Sequence, residues 1–175
     1  MYTKIFIPIL LVALCLNCKS VKRHTSLVEL ERLKAIHLKD TITIESNWAY
    51  PQNPNIIYNA GFMPPGSGVG NINLIGNHNY FKIIKDSLSI RLPYFGVRQM
   101  GGGYNTDNAG INFDGIPSNF KSSFNSKKNI YQYNFDVRNK TESFQIFLVI
   151  FPNLSTDIRV NTNQRTSISY QGNVL

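Results

Sequence analysis

From Thr41 onward the chain changes its hydrophobic period to two, and this alternation constrains the fold more than any other feature. Apolar residues that recur every second position place one face of an extended strand in a core and the other in solvent. The alternation predicts strands at Thr41–Trp48, Ile72–Ile75, Tyr80–Ile84, Leu88–Leu92, Ile111–Phe113, Phe120–Asn125, Ile130–Val137, Ser143–Ile150, Ile158–Val160 and Ser167–Tyr170. Turn chemistry separates them: Lys85-Asp86, Ser126-Lys127-Lys128-Asn129, Arg138-Asn139-Lys140, Pro152-Asn153 and Asn161-Thr162-Asn163. Connections this short cannot hold crossover helices, so the strands form hairpins. The expected fold is mainly β, an antiparallel barrel or sandwich of short strands preceded by one N-terminal helix. In the first strand Ile42, Ile44 and Trp48 fall in one phase and are expected to share a face. Two stretches, Pro51–Gly70 and Gly96–Gly110, carry no such period and are expected as long loops.

The first forty residues read differently. Met1–Lys4 carries one positive charge, and Ile5–Leu16 is an almost wholly apolar run ending at Asn17 and Cys18. A span needs about 20 apolar residues to cross a bilayer, so this run is too short for a transmembrane helix and suits a signal peptide. Residues 1–17 are therefore expected to be a signal peptide. A cysteine directly after such a run resembles the lipobox of bacterial lipoproteins, which makes Cys18 the expected lipid attachment point. Cys15 follows Leu14, a poorer cleavage residue. More than one acyl chain, at about 0.8 kcal/mol per buried methylene, anchors a protein stably. The membrane, reached through the N-terminal lipid, is the first expected partner. No acidic cluster follows Cys18, so the expected place is the cell envelope, on the periplasmic side of the outer membrane. Residues 18–25 form a polar tether. Residues 26–40 are expected as a helix, opened by a capping box at Ser26 and Glu29 and packed on the β body. Residues 41–175 are expected as a single antiparallel β domain.

Charge and cysteine use narrow the function classes. The formal charge is +8, but it is split between the first forty residues and the long remainder, without a basic stripe. Nucleic acid is therefore not an expected partner. Both cysteines lie in the leader, so the body has no disulfide, thiol nucleophile or thiolate metal site. Neither cofactor nor metal is expected. His24, His37 and His78 lack ligand spacing, and Asp107 and Asp114 lack the clustered acids of a calcium loop. Gly66-Ser67-Gly68-Val69-Gly70 lacks the Lys-Ser/Thr of a phosphate loop. No carboxylate from Thr41 onward sits in an apolar run that would suit it to general-acid work, so no enzyme is expected.

Large rings gather where strands give way to loops, in Trp48-Ala49-Tyr50-Pro51-Gln52 and Leu92-Pro93-Tyr94-Phe95-Gly96. Together with I-x-F-D-G at Ile111–Gly115 and R-x-S-I-S-Y-x-G at Arg165–Gly172, they resemble the Bacteroidota lipoprotein family designated domain of unknown function 4251. The resemblance runs from about Trp48 to the C-terminus and departs mainly in a longer Pro51–Gly70 stretch. It implies a β-rich envelope lipoprotein and supplies no activity. The leading expectation is a non-enzymatic binding or structural module whose partner is an unknown envelope component. Trp48, Tyr50, Tyr94, Phe95 and Arg165 are its candidate surface. The alternative is a lipocalin-like carrier with a small apolar ligand held near the four rings. Phe113, Phe124, Tyr133, Phe135, Phe144 and Phe147 are bulky enough to fill the interior instead. Asp40-Thr41-Ile42 and Asp86-Ser87-Leu88 fit the D-[S/T]-apolar pattern of O-glycosylation in exported Bacteroidota proteins, so Thr41 and Ser87 are candidate attachment points.

Overall fold

In the computed structural model every predicted strand forms, and all of them join one antiparallel sheet. The structure describes residues 25–59, 61, 63–99, 110–139 and 142–175. The signal peptide, His24, Cys15 and Cys18 lie outside the described residues, as do Asp107 and the triple glycine at 101–103.

The elements are α1 (Leu27–His37), β1 (Thr41–Pro51), α2 (Pro54–Asn59), β2 (Ile72–Asn73), β3 (Tyr80–Ile84), β4 (Ser87–Leu92), β5 (Ile111–Gly115), β6 (Asn119–Asn125), β7 (Ile130–Asn139), β8 (Glu142–Ile150), β9 (Ser155–Thr162) and β10 (Ile168–Val174). The sheet runs β5-β4-β3-β1-β10-β9-β8-β7-β6, with β2 on β1. Two meanders thus meet at β1, which pairs with β3 on one side and β10 on the other.

The order forces curvature. β5 and β6 stand at opposite edges of the sheet, yet only Ile116–Ser118 separate them in sequence. Four Cα steps reach at most about 14 Å, so the edges come close and the sheet curls into a half-barrel. Asn139 Nδ2 donates to Asn112 O at 3.0 Å, tying the end of β7 to β5. Ser118 N donates to Asp136 O at 2.8 Å, and from there β6 takes over as β7's neighbour. β5 and β6 therefore follow one another along β7, and among the described residues nothing pairs with the other edge of β6.

The interior is filled by Phe81, Phe135, Tyr170, Ile44, Ile90, Ile146 and Leu148, all essentially inaccessible to solvent. Helix α1 completes this core. Ser26 Oγ accepts from Glu29 N at 3.1 Å and Glu29 Oε2 accepts from Ser26 N at 3.0 Å, the capping box its spacing requires. Leu33 and Ile36 enter the core, while Leu27 and Val28 remain exposed. Among the described residues no helix is long and apolar enough to cross a membrane.

Three expectations are corrected. The Pro51–Gly70 stretch contains a short helix, α2, begun by Pro54, whose fixed φ suits a first helical position. Trp48 does not share the face of Ile42 and Ile44. A β-bulge between Ser46 and Trp48 inserts one residue, and the phase reverses so that Ala49 turns inward. Buried Asn79 holds the bulge, its Oδ1 accepting from Ser46 N and its Nδ2 donating to Ser46 O, both at 2.9 Å. Of the six expected core rings, Tyr133, Phe135 and Phe144 are buried and Phe113 packs at the margin of the core. Phe147 instead faces outward between buried Ile146 and Leu148, and Phe124 is about as exposed, at 38%.

Candidate functional site

The four sequence motifs fall into two groups, one interlocked at the buried end of the half-barrel and one displayed on its outer face. At the buried end, the segment after β4 runs antiparallel to the segment leading into β10. Thr166 N donates to Val97 O at 3.0 Å and Gln99 N to Gln164 O at 2.7 Å, with a bridge between Arg98 and Arg165. Tyr94 Oη donates to Thr166 O at 2.9 Å. Tyr170 Oη donates to Pro93 O at 2.8 Å. Burial pushes both phenols above the ordinary tyrosine range, which fixes them as neutral donors. A side chain at Gly96 would collide with the Tyr94 hydroxyl and with Thr166 Oγ1, so that close approach requires glycine.

Behind this strap lies a charged cluster. Arg165 grips Glu142 through Nε–Oε1 at 2.8 Å and Nη2–Oε2 at 2.9 Å, both residues being buried. Arg98 Nη2 adds a contact to Glu142 Oε2 at 3.2 Å, and Thr162 Oγ1 donates to Oε1 at 2.8 Å. Arg165 Nη1 donates to Gly110 O at 3.1 Å, and its guanidinium lies 5.0 Å from the Tyr94 ring centre. The contacts from Arg165 Nε and Nη2, Arg98 and Thr162 all use Glu142 as the acceptor, two on each carboxylate oxygen. A carboxylate so occupied joins three segments and has no free oxygen to aim at a substrate.

The sequence reading found Arg165 and Tyr94 but missed Glu142 and Arg98. Arg165 belongs to the buried brace and is not part of a surface. Phe95 packs partly buried against the core. Trp48 and Tyr50 flank buried Ala49 and therefore face the other way, Tyr50 Oη donating to exposed Gln171 Oε1 at 2.9 Å. The four rings do not line a common pocket.

The outer face gathers a different set. Strand register aligns Tyr50, Ser169, Arg159, Phe147, Asn134 and Lys121 in one row across β1, β10, β9, β8, β7 and β6. The adjoining row is Trp48, Gln171, Asp157, Val149, Gln132 and Ser123. Three rings are thus set mostly among neutral amides and hydroxyls, with Arg159 and Asp157 balancing in charge and Lys121 at the β6 end. At one margin of the sheet, Thr41 and Ser87 flank Ile84 in a single row, so the two candidate attachment points face solvent about 10 Å apart. Asp114 of the third motif pairs with Arg91 and accepts from Ser89 Oγ at 2.6 Å; these contacts hold its carboxyl below the usual range. An open cavity of about 500 Å³ with a mixed lining lies between Glu29, Lys128, Phe151, Pro152 and Asp157, beside the start of α1.

His37 stacks on Tyr131 at 4.2 Å and shares a 2.8 Å hydrogen bond with Tyr133 Oη, while His78 meets the edge of Tyr80. Among the described residues no group of three or more His, Cys, Asp or Glu side chains is placed to hold a metal ion.

Comparison with known proteins gives a family and a fold. The family model described as Domain of unknown function (DUF4251) matches residues 27–174. A crystal structure of a DUF4251 family protein from Bacteroides eggerthii DSM 20697 is similar, with a TM-score of 0.55 and 17% sequence identity over 85% of this chain and 87% of that one. No curated protein matches.

Proposed function

The chain belongs to the DUF4251 family, and from that premise we propose that it is a lipid-anchored, non-enzymatic module that holds an envelope glycan on the outer face of its sheet. The two outward rows around Trp48, Tyr50 and Phe147 carry this reading. Flat rings offer apolar area to the carbon faces of a sugar, and the neighbouring Gln171, Gln132, Asn134 and Ser169 both donate and accept hydrogen bonds. The filled interior favours this surface over the carrier alternative, because Phe81, Phe135 and Tyr170 occupy the volume an apolar ligand would need. The leader and lipid attachment at Cys18 expected from the sequence support this reading, since they would hold the module at a membrane, where such polymers lie.

Trp48 is the single tryptophan, so its emission reports on this face. Titrating the full-length protein in detergent with soluble peptidoglycan strands is expected to give a saturating shift. Phe147→Ala, which removes an exposed ring without touching the core, should weaken that response about tenfold, equivalent to about 1.4 kcal/mol. Fatty acid should leave the emission flat. A one-to-one response to fatty acid would favour the carrier instead, and silence toward the glycan would overturn the outer-face reading.

A further inference from the structure

We propose that β6 is a self-pairing edge, through which two copies of this chain join their sheets about a twofold axis at Ser122. The free edge supplies the first argument. Among the described residues β6 pairs with β7 alone, and its residues are exposed or half-exposed along its whole length. An edge strand carries a row of unpaired N–H and C=O groups, which proteins blunt with proline, bulges or charged side chains, lysine especially. β6 has an unbroken register with β7, no proline, and one charge, Lys121.

The sequence of β6 supplies the second. Asn119-Phe120-Lys121-Ser122-Ser123-Phe124-Asn125 is nearly palindromic. In an antiparallel pair centred on Ser122, Asn119 meets Asn125, Phe120 meets Phe124, and Lys121 meets Ser123 of the second copy. Aromatic pairs directly opposite one another stabilise such a ladder, and like charges directly opposite weaken it. A register centred on Lys121 would oppose the two lysines, and one centred on Ser123 would leave each Phe120 without a partner. Slips of one residue would put the rings on opposite faces of the joined sheet. Charge and ring placement therefore select a single register.

Phe120 and Phe124 complete the case. They stand on the inner face, stacked on Phe135 at 5.1 Å and tilted on Tyr131 at 4.9 Å, yet remain 39% and 38% exposed. A second strand paired to β6 would bring a ring of the other copy beside each of them. Two seven-residue edges bury less than the roughly 1,200 Å² of a standard stable interface, so the pair is weak in dilute solution and forms where copies are concentrated. The proposal rests on β6 and does not depend on the glycan reading.

The test is cysteine cross-linking of the full-length protein in the cells that produce it, with added oxidant. The β body holds no cysteine of its own, and the parent protein run alongside accounts for any cross-link through Cys15 or Cys18. Directly opposite residues in an antiparallel pair have Cα atoms within disulfide range, and diagonal ones do not. Ser122→Cys is expected to give a reducible dimer at least about tenfold more abundant than Lys121→Cys or Ser123→Cys singly. Co-expressed Lys121→Cys and Ser123→Cys should cross-link to each other. Adding Phe124→Lys to Ser122→Cys should abolish the dimer while circular dichroism stays unchanged. Equal cross-linking at all three positions would show random collision and overturn the proposal. A Ser122→Cys adduct with a different protein, or none at all, would overturn it too.

Discussion

Replacing Glu142 with alanine is expected to destabilise the protein by about 3–5 kcal/mol, because it strands buried positive charge without its partner. Arg165 is 6% exposed and has its bidentate acceptor in Glu142, while Arg98 and Thr162 lean on the same carboxylate. At this chain length such a loss lowers the melting temperature by on the order of 10 °C. Glu142→Gln should lose most of the same stability, since its amide nitrogen would face a guanidinium. The pair Glu142→Leu with Arg165→Met should be less harmed than either single change, because breaking a buried ion pair costs more than replacing it whole. Denaturant titration of the parent, the double variant and the single variants checks this. A Glu142→Ala variant within about 0.5 kcal/mol of the parent would contradict the structural role, that being the range of a surface substitution far from any such feature.

Gly172→Ala is expected to be comparably damaging for a different reason. The added Cβ would lie inside the contact distance of the Glu45 carbonyl oxygen and 2.6 Å from Ser46 Cα, both backbone atoms of the neighbouring strand. Gly172 is not in the left-handed region, so the cost is steric and not conformational. Backbone cannot yield as a side chain does, and β1 must move off β10 where the bulge sits, at about 3 kcal/mol or more. The bulge is what turns Trp48 outward, so the variant should also change the tryptophan emission before any denaturant is added. Unchanged emission with unchanged stability would show that the bulge does not depend on this glycine.

These two residues mark what could and could not be read from the sequence. Strand positions were legible because alternation and turn chemistry are local. Lys85, Asn129 and Leu154, in the turns before β4, β7 and β9, take the positive φ that reverses the chain. The α1 cap was legible because Ser26 and Glu29 are three residues apart. The phase of Trp48 was not legible. The bulge that reverses it is held by Asn79 and admitted by Gly172, which lie 33 and 126 positions away from Ser46. Glu142 was equally hidden. It follows a turn-like stretch, and only Arg165 and Arg98, 23 and 44 positions away, make it a buried anchor. Of the candidate surface, Trp48 and Tyr50 keep their place on the outer face, Phe147 joins them, and Tyr94 and Arg165 move to the buried brace.

The proposed function has the domain working from a membrane surface, suspended by a lipid on Cys18. Fractionation of producing cells, with intact-mass measurement of the purified protein, tests it most directly. The account predicts a mature chain beginning at Cys18 whose mass exceeds the polypeptide by its acyl groups; hexose-sized increments lost in Thr41→Ala or Ser87→Ala would show glycans there. It also predicts that Cys18→Ala leaves the membrane fraction while Cys15→Ala stays. Cys18→Ala protein that remains with membranes through a high-salt wash would contradict it.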